Sequence, residues 1–275
     1  MAMKYGFPFM GSKSKIAPDI ILHLPPAENL YDLFAGGGAI SHCALLSGKW
    51  KQVYANDIQN TMQLFVDAVD GKYRNERRWI SREQFHAEKM SDPYIRWIWS
   101  FGNNGHTYLF GSDIEPIKKA AHEFLFATGY DYTVKTRIKL VHLFKEQALL
   151  DGRFELEQLE RLEQLERLDI SALDYRDVKI KPDSVIYCDI PYNQKKKTSE
   201  KYYGLTFDTE AFYRWARDIE HPVYFSSVYC DDYAFREVWK KDKDCLMASG
   251  VNAGRITERL FWNGKGTVHR VTLWD

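Results

Sequence analysis

Leu30-Tyr31-Asp32-Leu33-Phe34-Ala35-Gly36-Gly37-Gly38-Ala39-Ile40 decides the fold class. A short apolar run carries a carboxylate, passes through consecutive glycines and enters a helical segment, so it predicts a strand, a tight turn and a helix start. Glycines accept positive φ and let a ligand approach the main chain closely. The spacing is Asp-x-Phe-x-Gly-x-Gly, not the Gly-x-Gly-x-x-Gly of dinucleotide folds or the Gly-Lys-Ser/Thr of phosphate-binding loops. No lysine follows the glycines to hold a phosphate, which argues against a nucleoside triphosphate. Gln52-Val53-Tyr54-Ala55-Asn56 reads as a second strand. It ends at Asp57, roughly 20 residues beyond the glycines, where an acid in a βαβ unit suits a ribose diol. Taken alone, Asp57 reads equally well as the N-cap of a helix starting at Ile58.

A second stretch carries the chemistry. Val185-Ile186-Tyr187-Cys188 has strand character, and Asp189-Ile190-Pro191-Tyr192 follows it directly. Asp189 can accept a hydrogen bond from an exocyclic amino group, and the Ile190 carbonyl can accept another. Pro191 restricts Ile190 to extended backbone and so fixes where that carbonyl points. Tyr192 offers a face on which a base can stack. Two acceptors around one NH2 draw its lone pair out of ring conjugation and make the nitrogen nucleophilic. On its own the tetrapeptide is equally an ordinary strand end at a turn. The glycine turn upstream gives it meaning.

Together these motifs resemble the Dam-type, D12-class DNA adenine-N6 methyltransferases of the alpha group. Phe9-Met10-Gly11-Ser12-Lys13 is similar to the family's Phe/Trp/Tyr-x-Gly-x-Lys motif, Asp32 to Gly38 to its Asp-x-Phe-x-Gly-x-Gly loop, and Asp189 to Tyr192 to its Asp-Pro-Pro-Tyr. The order, with a long insertion before the tetrapeptide, is also the alpha group's. The resemblance implies S-adenosylmethionine as cofactor and no metal. It implies Asp189, Ile190, Pro191 and Tyr192 as catalytic residues. Its cofactor set is Phe9, Lys13, Asp32, Phe34, Gly36, Gly38, Asp57, Asp174, Tyr175 and Asp189. In that set Phe9 packs on the cofactor, Lys13 contacts it or holds the loop, and Asp32 meets its ammonium group. Asp174-Tyr175, after Ile170-Ser171-Ala172-Leu173, resembles the acidic-aromatic step that holds the cofactor adenine. Ile190 stands where the family has its first proline. The family uses the carbonyl there, which isoleucine keeps, so chemistry is expected to survive and rate is the property at stake.

The chain has 275 residues, 45% of them hydrophobic, enough for one α/β catalytic domain and a smaller insertion. Strands near Leu30, Val53, Val185 and Val223 alternate with helical stretches, which predicts a doubly wound, mostly parallel sheet. The resemblance makes it the seven-stranded methyltransferase sheet. Arg259-Leu260-Phe261-Trp262 and His269-Arg270-Val271-Thr272-Leu273-Trp274, joined by Asn263-Gly264-Lys265-Gly266, predict a C-terminal antiparallel hairpin. Residues 1–59 and 171–275 are assigned to the catalytic domain and 60–170 to a helical and loop-rich target-recognition insertion. No apolar run approaches the roughly 20 residues that span a bilayer, and the N-terminus lacks a signal-peptide core. Cys43, Cys188, Cys230 and Cys245 are dispersed without metal or disulfide spacing. The expectation is a reduced, cytoplasmic protein of a bacterium or a phage-infected cell; a monomer is compatible with the sequence.

The formal net charge is zero, so a global electrostatic signature for DNA is missing, and phosphate contacts would have to come from one face. Arg74, Arg77 and Arg78 form one basic cluster suited to phosphates. Lys195, Lys196 and Lys197, in the loop after Tyr192, form another, beside which Tyr202 and Tyr203 can wedge or stack a base. Asn103 and Asn104, in Ser100-Phe101-Gly102-Asn103-Asn104-Gly105-His106-Thr107-Tyr108, have amides able to read adenine in the major groove. Each has an ordinary reading beside it, a solvated helix face, a basic loop and a Gly/Asn connection respectively. Leu156-Glu157-Gln158-Leu159-Glu160-Arg161 repeats as Leu162-Glu163-Gln164-Leu165-Glu166-Arg167. Its leucines drift around a helix, and Glu157/Arg161 and Glu163/Arg167 pair at i,i+4, which predicts a stable surface helix.

The expected reaction is site-specific transfer of a methyl group to N6 of an adenine flipped out of double-stranded DNA. Cytosine-C5 methylation is rejected, because it needs a cysteine nucleophile after a proline and no Pro-Cys step occurs. Cytosine-N4 methylation normally has Ser where this chain has Asp189. An RNA amine or a non-catalytic DNA-binding relative of the fold are the other readings carried forward.

Overall fold

The computed structural model describes residues 5–73, 76–127, 165–191, 201–202, 205–244 and 255–266. In chain order its elements are α1 (Ala17–His23), β1 (Asn29–Asp32), α2 (Ala39–Ser47), β2 (Gln52–Asn56), α3 (Thr61–Val69), α4 (Arg82–Glu88), α5 (Pro93–Ile98) and α6 (Glu115–Ala127). There follow β3 (Leu168–Ser171), β4 (Ser184–Asp189), the short pair β5 (Lys201–Tyr202) and β6 (Leu205–Thr206), α7 (Thr209–Asp218), β7 (Val223–Ser227), β8 (Arg236–Asp244) and β9 (Arg255–Trp262).

β4 is the strand around which the sheet is organised. Val185, Ile186, Tyr187 and Cys188 are all buried, as a strand covered on both faces of a parallel sheet must be. It lies between β1 and β7 in a seven-stranded sheet of order β3-β2-β1-β4-β7-β9-β8. The β1–β2, β1–β4, β2–β3 and β4–β7 pairs are parallel, whereas β7–β9 and β8–β9 are antiparallel. The doubly wound, mostly parallel sheet with antiparallel C-terminal strands is thus as expected. Succession runs outward from β1 through β2 to β3 on one side and from β4 to β7 on the other, so the order reverses between β1 and β4.

The antiparallel edge differs from expectation in one respect. Arg259-Leu260-Phe261-Trp262 is strand, but its described partner is the upstream β8, with Arg236 opposite Trp262 and Asp244 opposite Arg255. His269–Trp274 lies outside the described residues. β8 is the charged outer strand, and its Lys240 and Lys241 are exposed. Such side chains discourage further strand pairing.

The chain forms two compact units, Lys13–Met62 with Gln164–Asp275, and Met1–Ser12 with Gln63–Glu163. The division falls inside the motif Phe9-Met10-Gly11-Ser12-Lys13, so its aromatic ring and its lysine belong to different units. In the sheet-bearing unit, α7 is capped by Asp208, whose carboxylate accepts from the Ala211 amide. It buries Phe212, Tyr213 and Ala216 against Tyr31, Ile186, Phe225 and Phe261. In the other unit Ser81 caps α4, and Asp92 caps α5 ahead of Pro93. Aromatic pairs hold that unit, with Tyr73 stacked on Tyr94 at 4.9 Å and Trp79 on Phe110 at 5.6 Å between centroids. Of the Leu-Glu-Gln repeat only its last residues are described, as a short 3-10 turn (Leu165–Arg167). There Arg167 donates to the Leu45 carbonyl at 2.6 Å.

Asn56, buried at the end of β2, ties three loops together. Its amide nitrogen donates to the Leu33 carbonyl at 3.2 Å and the Leu173 carbonyl at 3.0 Å. Its amide oxygen accepts from Ser171 Oγ at 2.7 Å and from the Leu173 amide at 2.9 Å. Asn56→Ala removes one buried and three part-buried hydrogen bonds, and the buried Leu33 carbonyl alone costs about 1–3 kcal/mol when left without its partner. Urea unfolding of Asn56→Ala is therefore expected to show a loss of at least ~2 kcal/mol with an unchanged slope. A loss below ~0.5 kcal/mol would contradict this role.

Candidate active site

The carboxyl ends of β1 and β4 meet where the strand order reverses, the place at which doubly wound sheets bind ligands. The glycine turn leaves β1 here. The Ala35 amide donates to the Asn56 carbonyl at 2.9 Å, and the Gly38 amide closes onto the Ala35 carbonyl at 2.8 Å. Gly36 (φ 52°) and Gly38 (φ 73°) are both in the left-handed region that favours glycine. Gly38 is also the N-cap of α2 and supplies no side-chain bond, so the first amides of that helix lack a side-chain cap.

Asp57 is fastened to the turn itself. Its Oδ2 accepts from the Gly36 amide and its Oδ1 from the Gln59 amide, both at 2.9 Å. The following helix starts only at Thr61. Asp57 is therefore a brace of the glycine turn and not the cap of a helix beginning at Ile58.

Asp32, at the end of β1, is buried, and its Oδ2 accepts from Ser41 Oγ of α2 at 2.7 Å. Its Oδ1 has no hydrogen-bond partner among the described residues. Burial is the main cause that pushes its carboxyl up from 3.8 to about 7, with the neighbouring charges of Asp189 and Asp57 adding to the rise. The bond from Ser41 opposes it.

Asp189, at the end of β4, is gripped by Lys13. The ammonium lies 2.6 Å from Oδ1 and 2.7 Å from Oδ2, and the lysine is buried. Glu258, from β9 and with no exposed surface, lies 3.9 Å from the same ammonium. The register explains the meeting: Asp189 is opposite Ser226, and Ser226 is opposite Leu260, two residues along β9 from Glu258. Tyr187 shares this environment. Its hydroxyl is 2.6 Å from Ser226 Oγ, and burial, helped by the charges of Asp189, Glu258 and Asp32, pushes its ionisation well above the usual range. Ile190 turns its side chain into the core with Leu33, Phe212 and Phe225. That burial anchors the segment where a proline would otherwise have stiffened it.

The structure thus brings together Lys13, Asp32, Gly36, Gly38, Asp57, Asp189 and Ile190. Phe34 is half-buried against Tyr175 (5.3 Å) and Phe207 (5.6 Å). Tyr175 is itself packed into the same aromatic core. Asp174 is closed by Arg176, whose guanidinium takes both carboxylate oxygens and holds that carboxyl below its usual range. Phe9 lies in the other unit, 4.9 Å from the Trp97 ring. In that unit the candidate DNA readers are engaged locally. The Asn103 amide donates to the Trp97 carbonyl, and the Asn104 side-chain oxygen accepts from the His106 and Thr107 amides. Arg78 pairs with Glu76 and Asp92, and Arg77 donates to the Glu76 carbonyl. Tyr192, Lys195, Lys196, Lys197 and Arg74 lie outside the described residues. No cluster of metal-ligating side chains occurs among the described residues.

Sequence reasoning missed Glu258, Ser41 and Asn56. Glu258 sits in an alternating strand next to charged neighbours, where a carboxylate normally faces water. Ser41 carried a weak signal, one helical turn into α2 after the glycines.

The family model of the D12 class N6 adenine-specific DNA methyltransferases matches residues 9–243. No curated protein matches the chain. No helix among the described residues is long and apolar enough to cross a membrane.

Asp32 sets a pH dependence of stability. Because its folded carboxyl titrates at about 7 against 3.8, the folded chain holds this proton more tightly than the unfolded chain. The group's contribution is most favourable below pH ~4 and is lost as pH rises through about 7. Asp32→Asn cannot titrate. Its melting temperature at pH 8 is expected to exceed that of the wild type by roughly 2 °C or more, with the gap narrowing as pH falls toward ~4. A lower melting temperature for Asp32→Asn at pH 8 would contradict the assignment.

Proposed function

The chain belongs to the D12 class of N6 adenine-specific DNA methyltransferases, and we propose that it transfers the methyl group of S-adenosylmethionine to N6 of an adenine turned out of double-stranded DNA. The observation that carries this reading is the position of Asp189. It ends the middle strand of the sheet, beside the glycine turn of β1, at the reversal of strand order.

The residues at that crevice suit the cofactor. Asp32 offers a buried carboxylate oxygen with no described partner, a match for an ammonium group. Gly36 and Gly38 allow the main chain to come close, and the start of α2 faces a ligand with side-chain-uncapped amides. Asp57, braced on the Gly36 and Gln59 amides, is assigned to the ribose diol. We assign Phe9, Phe34, Asp174 and Tyr175 to the rest of the cofactor's surroundings. Phe34 is the half-buried member of an aromatic wall that Tyr175 backs. The cofactor supplies an electrophilic methyl group on a sulfonium sulfur.

The chain's own groups prepare the amine. Asp189 and the Ile190 carbonyl each accept one N6 hydrogen, which turns the nitrogen lone pair toward the methyl group. Lys13 keeps the Asp189 carboxylate in one orientation, and positioning of this kind supplies much of the acceleration. Asp189 does not need to be a strong base, because N6 becomes acidic once it carries the methyl group and its proton leaves afterwards, to Asp189 or water. Extruding the nucleotide costs a few kcal/mol. Stacking on Tyr192 returns about 1–3 kcal/mol. Lys195, Lys196 and Lys197, next in the chain after this site, provide phosphate contacts, with Arg74 and Arg77 as further candidates. Residues 60–170 form the insertion that reads the target.

Purified protein, labelled S-adenosylmethionine and unmethylated genomic DNA, digested to nucleosides, test this reading. N6-methyladenine is the expected product, reduced at least ~100-fold in Asp189→Ala. Label in N4-methylcytosine, or none in DNA, would contradict it.

A further inference from the structure

Glu258 is a fully buried carboxylate that the mechanism above does not use, and it lies beyond the residues matched by the family model. Burying such a group is costly unless its charge is offset. The offsetting cation is Lys13, 3.9 Å away, which at the same time spans both oxygens of Asp189. One ammonium therefore serves two carboxylates from strands β4 and β9. The geometric consequence bears on the reaction. Asp189 reaches Lys13 from β4 and Glu258 reaches it from β9, so the ammonium that spans both Asp189 oxygens is itself held from a second strand. The Asp189 carboxylate is thereby oriented for the amine before the reaction begins.

Resting on the function proposed above, we infer that Glu258 is a positioning residue for methyl transfer, acting on the reacting amine through Lys13 and Asp189. It touches neither substrate nor cofactor in this role. Its effect is on the orientation of the Asp189 carboxylate. Glu258→Gln preserves the shape and removes the charge, and Glu258→Asp preserves the charge.

The test is a double-mutant cycle of wild type, Glu258→Gln, Lys13→Met and the double variant. Its readouts are single-turnover methyl transfer to adenine at saturating DNA and cofactor, cofactor Kd by calorimetry, and thermal melts. Glu258→Gln is expected to slow transfer roughly tenfold or more, with cofactor Kd unchanged within about twofold. Glu258→Asp is expected to recover part of the rate. In the Lys13→Met background the effect of Glu258→Gln should shrink to under about twofold, because its route of action is gone. Wild-type transfer by Glu258→Gln, or the same factor lost in both backgrounds, would overturn the inference while leaving the function intact. So would a rate loss that only tracks weaker cofactor binding or a lower melting temperature. Should Glu258→Gln fail to fold, Glu258→Asp takes its place in the cycle, with a smaller loss that again vanishes without Lys13. An inactive wild type would overturn the proposed function and this inference with it.

Discussion

The ammonium group of Lys13 is the constraint on which the carboxyl edge of this sheet depends. Asp189 ends β4, Glu258 sits on β9, and both oxygens of the first and one oxygen of the second fall within 3.9 Å of that nitrogen. The fully buried Glu258 and the part-buried Asp189 share this one ammonium. With it, an N-terminal segment, a central parallel strand and an antiparallel strand are pinned to one point. An ion pair of this kind is poor evidence of net stability, because desolvation offsets much of its attraction. Its value lies in geometry: a carboxylate held through both oxygens cannot rotate away from an incoming amine.

Around that point the edge is crowded with acid. Asp32 and Asp57 flank the glycine turn, and burial, with the charges of Asp189 and Asp57 adding to it, raises the Asp32 carboxyl. Asp32 therefore costs stability at neutral pH, and on the function proposed above that cost keeps a buried carboxylate ready for an ammonium group. The hydrogen-bonded frame beneath it, Asn56 across three loops and Asp57 across the turn, keeps these acids from relaxing apart.

The parallel strands were legible because Leu30, Val53, Val185 and Val223 lie in uninterrupted apolar runs bounded by turn residues. A strand buried on both faces leaves no other pattern. β8 was not legible, because Arg236-Glu237-Val238-Trp239-Lys240-Lys241-Asp242-Lys243-Asp244 is an edge strand whose charges face solvent and mask the alternation. The glycine turn and the strand end at Asp189 were legible from spacing, since local sequence fixes their geometry. Lys13 stood out only through the family resemblance, and its pairing with Asp189 was not legible. The pair is separated by 176 residues, and only the strand order brings it together. Glu258 was hidden for the same reason. The polar loop around Asn103 and Asn104 shows why such residues read two ways from sequence, for side chains that suit base edges also suit turns, and here they bond within their own loop.

The most direct test of this account is single-turnover methyl transfer to adenine N6 by Lys13→Met, measured on protein shown to be folded by its circular dichroism and melting curve. Lys13 makes no contact with the base in this account, and its removal acts on the transfer step through the orientation of Asp189. The account predicts a transfer rate at least ~100-fold below wild type in protein that still folds. A folded Lys13→Met variant that transfers at the wild-type rate would contradict it.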